Sequence, residues 1–224
     1  MIFDPLYFLF IGPFLLLGLY AQWKVKSTFQ KMSQEPAKMS GAQAARVMLD
    51  SAGLQAVGIE QIGGMLSDHY DPRAKVLRLS PDVYGGRSMS AVGVACHEAG
   101  HAMQDAQNYA PLVIRNMAVP AANFGSNASM LMFIGGMLLG FPALIWLGIA
   151  AFAAVVFFQL INLPVEFDAS ARAKRQLVAQ GIISDYESQY VAKVLNAAAL
   201  TYVAGTLQAI ATLAYLIFRA SDRR

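Results

Sequence analysis

The sequence predicts a mostly α-helical integral membrane protein with a small β-sheet in one modest soluble portion. Hydrophobic residues fill 56% of its 224 positions and charged residues only 14%, whereas a typical soluble domain has about 25% charged residues. Several stretches of roughly twenty apolar residues carry no charge, and this is the length that a helix needs to cross a bilayer. These observations favour about four transmembrane helices.

The first predicted span covers residues 5–22, where Pro13 would kink the helix rather than break it. A cleaved signal peptide is the less favoured interpretation, because the start of the chain carries no basic side chain and no small-residue cleavage site is evident. Residues 1–23 are therefore predicted to be a transmembrane anchor.

Charged residues and turn signals then replace the apolar run, so the segment 24–117 is predicted to form the soluble domain. A helix is expected over 41–52, and short strands over 56–62 and 74–79, with a turn in the stretch "DHYDPR" between the strands. The second strand alternates apolar and charged residues, which is typical of a half-buried strand at the edge of a sheet.

A second helix of this domain, predicted over 89–106, contains the sequence "HEAGH". His97 and His101 are four positions apart, so both imidazoles project from one face and can bind one cation. Neutral imidazole is a good ligand for Zn²⁺. Glu98 can take the proton of a water that the metal activates, which favours hydrolysis of a peptide bond.

A catalytic zinc site has three protein ligands and one open position, so a third ligand is expected from elsewhere. The acidic residues between the motif and the last helix are Asp105, Glu166, Asp168, Asp185 and Glu187. Glu166 is the preferred candidate, because it opens a predicted helix directly after an apolar run, where an acidic residue is costly without a role. Negative charge is also favourable at a helix N-terminus, and Asp168, which can pair with Arg172, is the second candidate.

Two charge-free runs joined at "GFP" predict a transmembrane hairpin over 118–163. Residues 164–190 follow as the segment whose helix carries Glu166, and residues 191–224 contain the last predicted span. No internal repeat is present and no charge pair lies within the spans, which disfavours a transporter.

The segments "HEAGHAMQ", "LSDHYDPRAKVLRLS", "VYGGRSMSAVGVACHE" and "NLPVEFDASARA" resemble the bacterial YugP-type neutral zinc metallopeptidases, a membrane-bound family. The resemblance covers about residues 35–215. It implies a zinc peptidase with His97 and His101 as metal ligands and Glu98 as general base. His69 falls in one of these segments, where it would stabilise the oxyanion or form part of the cleft, or simply fix a turn.

The order of H-E-x-x-H helix, hairpin and glutamate-led helix is also similar to the HtpX/Ste24 class of membrane gluzincins. In that class the glutamate of an E-x-x-x-D motif is the third ligand. Glu166 stands at that glutamate, but Ser170 stands where the aspartate would be. This departure leaves open which residue orients His97 or His101.

These features predict a membrane-bound zinc endopeptidase with a zincin-like domain that acts on peptides or membrane proteins. The alternative is a non-catalytic membrane scaffold with structural zinc, which needs a fourth ligand such as His69 or Cys96. On a helix, Cys96 points about 100° away from its neighbour His97, which makes it a poor fourth ligand. Because Cys96 is the single cysteine, the chain cannot form an intramolecular disulfide. A second copy of the chain or another membrane protein remains open as a partner.

The placement of Lys and Arg predicts the orientation in a bacterial inner membrane. Basic residues follow the first span and the hairpin, and an even number of crossings puts both groups on one side, with Arg219, Arg223 and Arg224 opposite. The excess favours a cytoplasmic catalytic domain. A formal net charge of only +3, without a basic stripe among aromatic residues, gives no reason to expect nucleic acid as a partner.

Overall fold

A computed structural model describes residues 5–222 and confirms the mostly helical class with a small sheet. Its elements in chain order are α1 (Pro5–Met32), α2 (Gly41–Ser51), β1 (Gly58–Gln61), β2 (His69–Asp71), β3 (Val76–Leu79), α3 (Pro81–Tyr84), α4 (Met89–Ala106), α5 (Ala110–Leu139), α6 (Pro142–Ala179) and α7 (Asp185–Ser221). The start of the predicted anchor, residues 1–4, and the last two arginines of the charge argument, residues 223–224, lie outside the described residues.

Three helices of the described part are long and apolar enough to cross a membrane, namely α1, α6 and α7. The other expected span, over 118–140, forms as part of α5 but is not among them. Its apolar sequence is interrupted by Asn123, Ser126 and Asn127. The side chains of Ser126 and Asn127 donate hydrogen bonds to the carbonyl of Asn123 within the same helix, which satisfies these polar groups locally.

The residue contacts divide the chain into two compact units. The first consists of residues 5–21, 111–164 and 201–222 of the described chain. Its buried core is formed by Phe133, Ile145, Ile149, Tyr215 and Leu216. Helices α5 and α6 approach closely at Gly148, where an added Cβ would lie 2.7 Å from the carbonyl oxygen of Ser129. Such close backbone approach through a small residue is typical of helix pairs in membranes.

The second unit consists of residues 22–110 and 165–200 and contains the sheet, α2, α3 and α4. Helices α2 and α4 begin at the predicted residues: Ser40 and Gln43 form a reciprocal capping box, and Ser88 accepts from the backbone N–H of Ala91. The core between the helices and the sheet contains fully buried side chains, among them Met48, Leu49, Leu77, Leu79, Val92 and Leu177. Most residues of α4 are buried.

The expected position of the second strand at the edge of the sheet is wrong. The strand order is β1-β3-β2, so β3 is central, parallel to β1 and antiparallel to β2. Arg78 between the buried Leu77 and Leu79 suggested a solvent-facing side, but its guanidinium pairs with Asp71 of β2 and Glu60 of β1. The charged residue thus connects both neighbouring strands.

Strand β2 lies within "DHYDPR", which was expected to be only a turn. Its three residues pair with β3, with Tyr70 opposite Leu77. Just before it, the Asp68 carboxylate accepts hydrogen bonds from the backbone N–H (2.7 Å) and hydroxyl (3.0 Å) of Ser80. Burial raises the pKa of Asp68 although both bonds favour its charged form. Pairing and this contact, rather than local propensity, hold the short strand in place.

Helix α6 is continuous through Pro164, although the sequence predicted a new helix beginning at Glu166. Its residues after Pro164 belong to the second unit, where α6 packs against α4. The closest approach is at Gly100, where an added Cβ would lie 2.7 Å from the carbonyl oxygen and 3.2 Å from the Cα of Ala169. Backbone cannot move aside as a flexible side chain can, so only glycine permits this packing.

We expect Gly100→Ala to destabilise the protein by about 1–3 kcal/mol, although alanine is intrinsically the better helix former. The reason is the clash of the new methyl group with the backbone of Ala169. Thermal unfolding of the detergent-solubilised chain measures the effect. Gly63→Ala is the control, because nothing lies within 4 Å of its added Cβ. A higher Tm for Gly100→Ala than for wild type would contradict the close packing.

Candidate metal centre

Three side chains that the sequence singled out meet in the second unit. His97 and His101 of α4 and Glu166 of α6 each offer one ligand atom, and these atoms lie within 4.8 Å of one another. The Nε2 atoms of His97 and His101 lie 3.2 Å and 3.6 Å from the same Glu166 oxygen, Oε2. Two helices therefore converge on one point, one with two imidazoles and the other with a carboxylate.

The cluster is strongly buried. The side chains of His97 and His101 are each 12% exposed, and that of Glu166 is 6% exposed. A helix N-terminus does not explain Glu166, because the residue lies inside α6. A buried carboxylate is costly unless a cation or strong donors compensate its charge. The two imidazoles provide this compensation, and a metal ion bound among the three groups would do so as well.

The charged groups around His101 also favour a positive charge in the cluster. Burial on its own lowers the pKa of His101. The hydrogen bond with Glu166 and the negative charges of Glu98 and Glu166 outweigh burial, so the pKa is raised above its ordinary value. The surroundings of the imidazole therefore favour a cation, which is either a proton or a metal ion.

The outer ring nitrogens of both histidines have defined partners. His97 Nδ1 lies 3.1 Å from Ser170 Oγ, and His101 Nδ1 lies 3.0 Å from Gln104 Oε1. Ser170 was the residue at which the sequence departs from the expected aspartate, and its hydroxyl contacts His97 itself. An amide oxygen can only accept, so Nδ1 of His101 donates to Gln104, and Nε2 is the ring nitrogen that faces Glu166.

Gln104 is the residue that sequence reasoning missed. It is completely buried on α4, and its amide nitrogen donates to the Val165 carbonyl and to Asp168, each at 2.8 Å. Because both of these partners are acceptors, the orientation of the amide is fixed and its oxygen faces His101. The only sequence signal was a polar residue three positions after His101 on a mostly apolar helix.

Asp168, the alternative third ligand, is engaged elsewhere. Its carboxylate accepts from Gln104 and from the guanidinium of Arg172. Arg172 also donates to Gln107 and lies over the ring of Tyr109, 5.6 Å from its centroid. Asp168 therefore joins α6 to the end of α4 and is not part of the cluster of three ligand atoms.

Glu98 lies beside the cluster and contacts the sheet. The residue is 8% exposed, and its Oε2 accepts a hydrogen bond of 3.1 Å from the backbone N–H of Tyr70. The Tyr70 hydroxyl donates to Asp105 at 2.7 Å, two turns further along α4, and Lys75 pairs with the same carboxylate. Strand β2 is thus attached to α4 at two points, and its outer backbone edge faces Glu98.

The remaining candidates lie apart from these contacts. His69 is exposed on β2, with Nδ1 2.8 Å from the carbonyl oxygen of Ser67. This is a bond of the kind that the turn interpretation expects, and the cleft role of His69 stays a prediction. Cys96 is fully buried in the core of the second unit, where burial raises the pKa of its thiol. Its side chain is therefore not available to the cluster as a ligand.

Comparison with known proteins gives two matches over most of the chain. The family described as "Putative neutral zinc metallopeptidase" matches residues 7–221. A protein of Bacillus subtilis (strain 168), named "Putative membrane protease YugP", is 53% identical over 193 residues, which cover 85% of this chain and 86% of the relative. No solved structure matches the chain.

Proposed function

The chain belongs to the neutral zinc metallopeptidase family, and from this premise we propose that it is a membrane-bound endopeptidase. In this proposal His97, His101 and Glu166 bind the zinc ion of the family, and Glu98 is the general base. The observation that carries the proposal is the approach of three ligand atoms to within 4.8 Å beside a buried glutamate.

The donor set fits zinc. Two imidazole nitrogens and one carboxylate oxygen are a frequent ligand set of catalytic zinc, which leaves a position open for water or substrate. A structural site would instead be closed by a fourth protein ligand. The cluster contains three such residues within the described part of the chain, and Cys96 lies in the core. This composition supports the peptidase over the non-catalytic scaffold.

When bound, zinc supplies a Lewis acid that polarises a peptide carbonyl and makes water nucleophilic at neutral pH. The task of Glu98 is proton transfer: its carboxylate takes a proton from the attacking water and passes it to the leaving amine. The hydrogen bond from the Tyr70 N–H orients this carboxylate. Burial of Glu98 strengthens the transfer, because few water molecules compete for the carboxylate.

Strand β2 is the element that we assign to substrate binding. Its inner edge pairs with β3, and the backbone of Tyr70 faces α4 on the outer edge. An extended peptide could pair with the part of this edge that Glu98 leaves unoccupied, through main-chain hydrogen bonds that bind many sequences with little selectivity. A substrate strand along β2 would bring its scissile bond next to Glu98. Peptides and exposed segments of membrane proteins are therefore the proposed substrates.

The proposed location is the inner membrane, with the second unit on the cytoplasmic side. Most of the basic residues in the sequence fall in the two segments that build this unit, residues 22–110 and 165–200. Such an excess is typical of segments that stay on the cytoplasmic side. The three apolar helices support a membrane location.

Glu98→Gln is expected to keep zinc and to lose at least about 10²-fold in cleavage rate. The reason is that the amide cannot accept the proton, whereas the proposed ligands are unchanged. Zinc per chain and chelator-sensitive cleavage of casein by the purified protein measure the two effects. Glu60→Gln is the matched control, because Glu60 is exposed and pairs with Arg78 of the sheet, outside the cluster of proposed ligands. Loss of zinc from Glu98→Gln, or full activity, would contradict the assigned role.

Glu166→Gln is expected to reduce zinc binding strongly, because an amide oxygen is a much weaker zinc ligand than a carboxylate. The equilibrium measurement is zinc retained against a competing chelator. Asp168→Asn is the companion variant, and we expect it to retain more zinc than Glu166→Gln. If the order is reversed, the third ligand is Asp168.

Gln104→Met is expected to weaken zinc binding by about 10- to 100-fold, which is the usual effect of removing a partner that orients a ligating histidine. The volume of the side chain is kept, but the hydrogen bond to His101 Nδ1 is lost. Gln107→Met is the control, since Gln107 is exposed and, within the described residues, its side chain hydrogen-bonds to Arg172 and not to a histidine. Equal zinc affinity in Gln104→Met and wild type would exclude a positioning role.

A further inference from the structure

A groove lined by three lysines lies between α1 and α7 in the second unit, and none of the three candidate metal ligands lines it. Its volume is about 480 Å³. Its walls and floor are formed by Lys24, Thr28, Lys31 and Met32 of α1 and by Lys193, Asn196, Ala197 and Leu200 of α7. We call it the lysine groove. Nothing in the proposed peptidase chemistry uses these residues.

The groove is built from two helix faces with regular spacing. Lys24, Thr28 and Lys31 follow one another at intervals of four and three residues, so they occupy one face of α1. On α7 the lining residues from Lys193 to Leu200 show the same spacing. The arrangement is therefore a property of two regular helices and does not depend on a loop conformation.

The lysines of the groove have no salt-bridge partner within the described residues. None of the three lysines forms an ion pair with a carboxylate of residues 5–222. Lys193 instead lies over the ring of Tyr190, with Nζ 5.1 Å from the ring centroid. Such a concentration of ammonium groups creates a positive potential that attracts an anion.

The other groups that line the groove indicate which kind of anion fits it. The hydroxyl of Thr28 and the amide of Asn196 add hydrogen-bond donors. The floor is apolar, because Met32 and Ala197 are only 2% and 4% exposed and Leu200 is half-buried. A phosphate group that carries an apolar attachment fits this combination of charge, donors and hydrocarbon surface.

The position of the lysines in the chain identifies the source of the phosphate. The charge-free run of α1 ends at residue 22, and Lys24 follows directly after the exposed Trp23. The charge-free run of α7 covers residues 194–218, and Lys193 comes directly before it. Basic and aromatic residues at the ends of spans lie at the depth of the lipid headgroups.

We propose that the lysine groove binds the phosphate of an anionic glycerophospholipid. Basic pockets at the ends of membrane helices bind such headgroups. Binding would attach the unit that carries the candidate metal centre to anionic lipid. The proposal is independent of the peptidase assignment, because a chain without protease activity would bind the lipid equally well.

Native mass spectrometry of the full-length protein in neutral detergent tests the proposal, with short-chain phosphatidylglycerol as the probe and phosphatidylcholine as the comparison. The triple variant K24Q/K31Q/K193Q is expected to bind phosphatidylglycerol about a hundredfold more weakly, since each lysine near an anionic lipid contributes about a factor of five. K24R/K31R/K193R keeps the charge and is expected to retain binding.

The matched control is K26Q/K38Q/R175Q, which removes the same charge from exposed positions outside the groove. We expect it to bind phosphatidylglycerol within a few-fold of wild type. An equal loss in both triple variants would mean unspecific attraction and would overturn the proposal. Equal binding of phosphatidylglycerol and phosphatidylcholine by the wild-type protein would also overturn the proposal. If inorganic phosphate displaces the lipid completely at comparable concentration, the groove is a site for free phosphate and the lipid assignment is wrong.

Discussion

The contact between α4 and α6 is the constraint on which the candidate metal centre depends. Gly100 lets the backbones approach at Ala169, and Gln104 hydrogen-bonds across the contact to Val165 and Asp168. Only this approach brings a carboxylate of α6 to two imidazoles of α4. A buried carboxylate without them would carry a large desolvation cost, so close packing and charge compensation support each other.

The parts of the site that sequence predicts are those fixed by local spacing or by unusual chemistry. Two histidines four positions apart in a helix must share a face, and Glu166 stood out because an acidic residue beside an apolar run needs a reason. The structure brings these three together. The first residues of α2 and α4 could also be predicted from the sequence, because the residues that form a helix cap lie within a few positions of each other.

The parts that sequence did not predict depend on distant partners. Strand β2 has only three residues and exists through its pairing with β3 and its attachment to α4. Gln104 and Ser170 gain their roles from contacts with residues on another helix or with an imidazole more than sixty positions away. Helix α6 continues through Pro164, although proline removes one backbone hydrogen bond and favours a break. In each case tertiary contacts outweigh the local preference.

The third proposed ligand is separated from the second by 65 positions in the sequence, and that interval contains all of α5 and most of α6. With the proposed ligands, a bound ion therefore acts as a cross-link that closes a long loop of the chain. A covalent cross-link around a loop of this length would reduce the entropy of the unfolded chain by the equivalent of about 4 kcal/mol. The ion would then stabilise the fold as well as supply the chemistry. Without metal, the unfolded chain would have more conformations, and the folded state would be less stable relative to it.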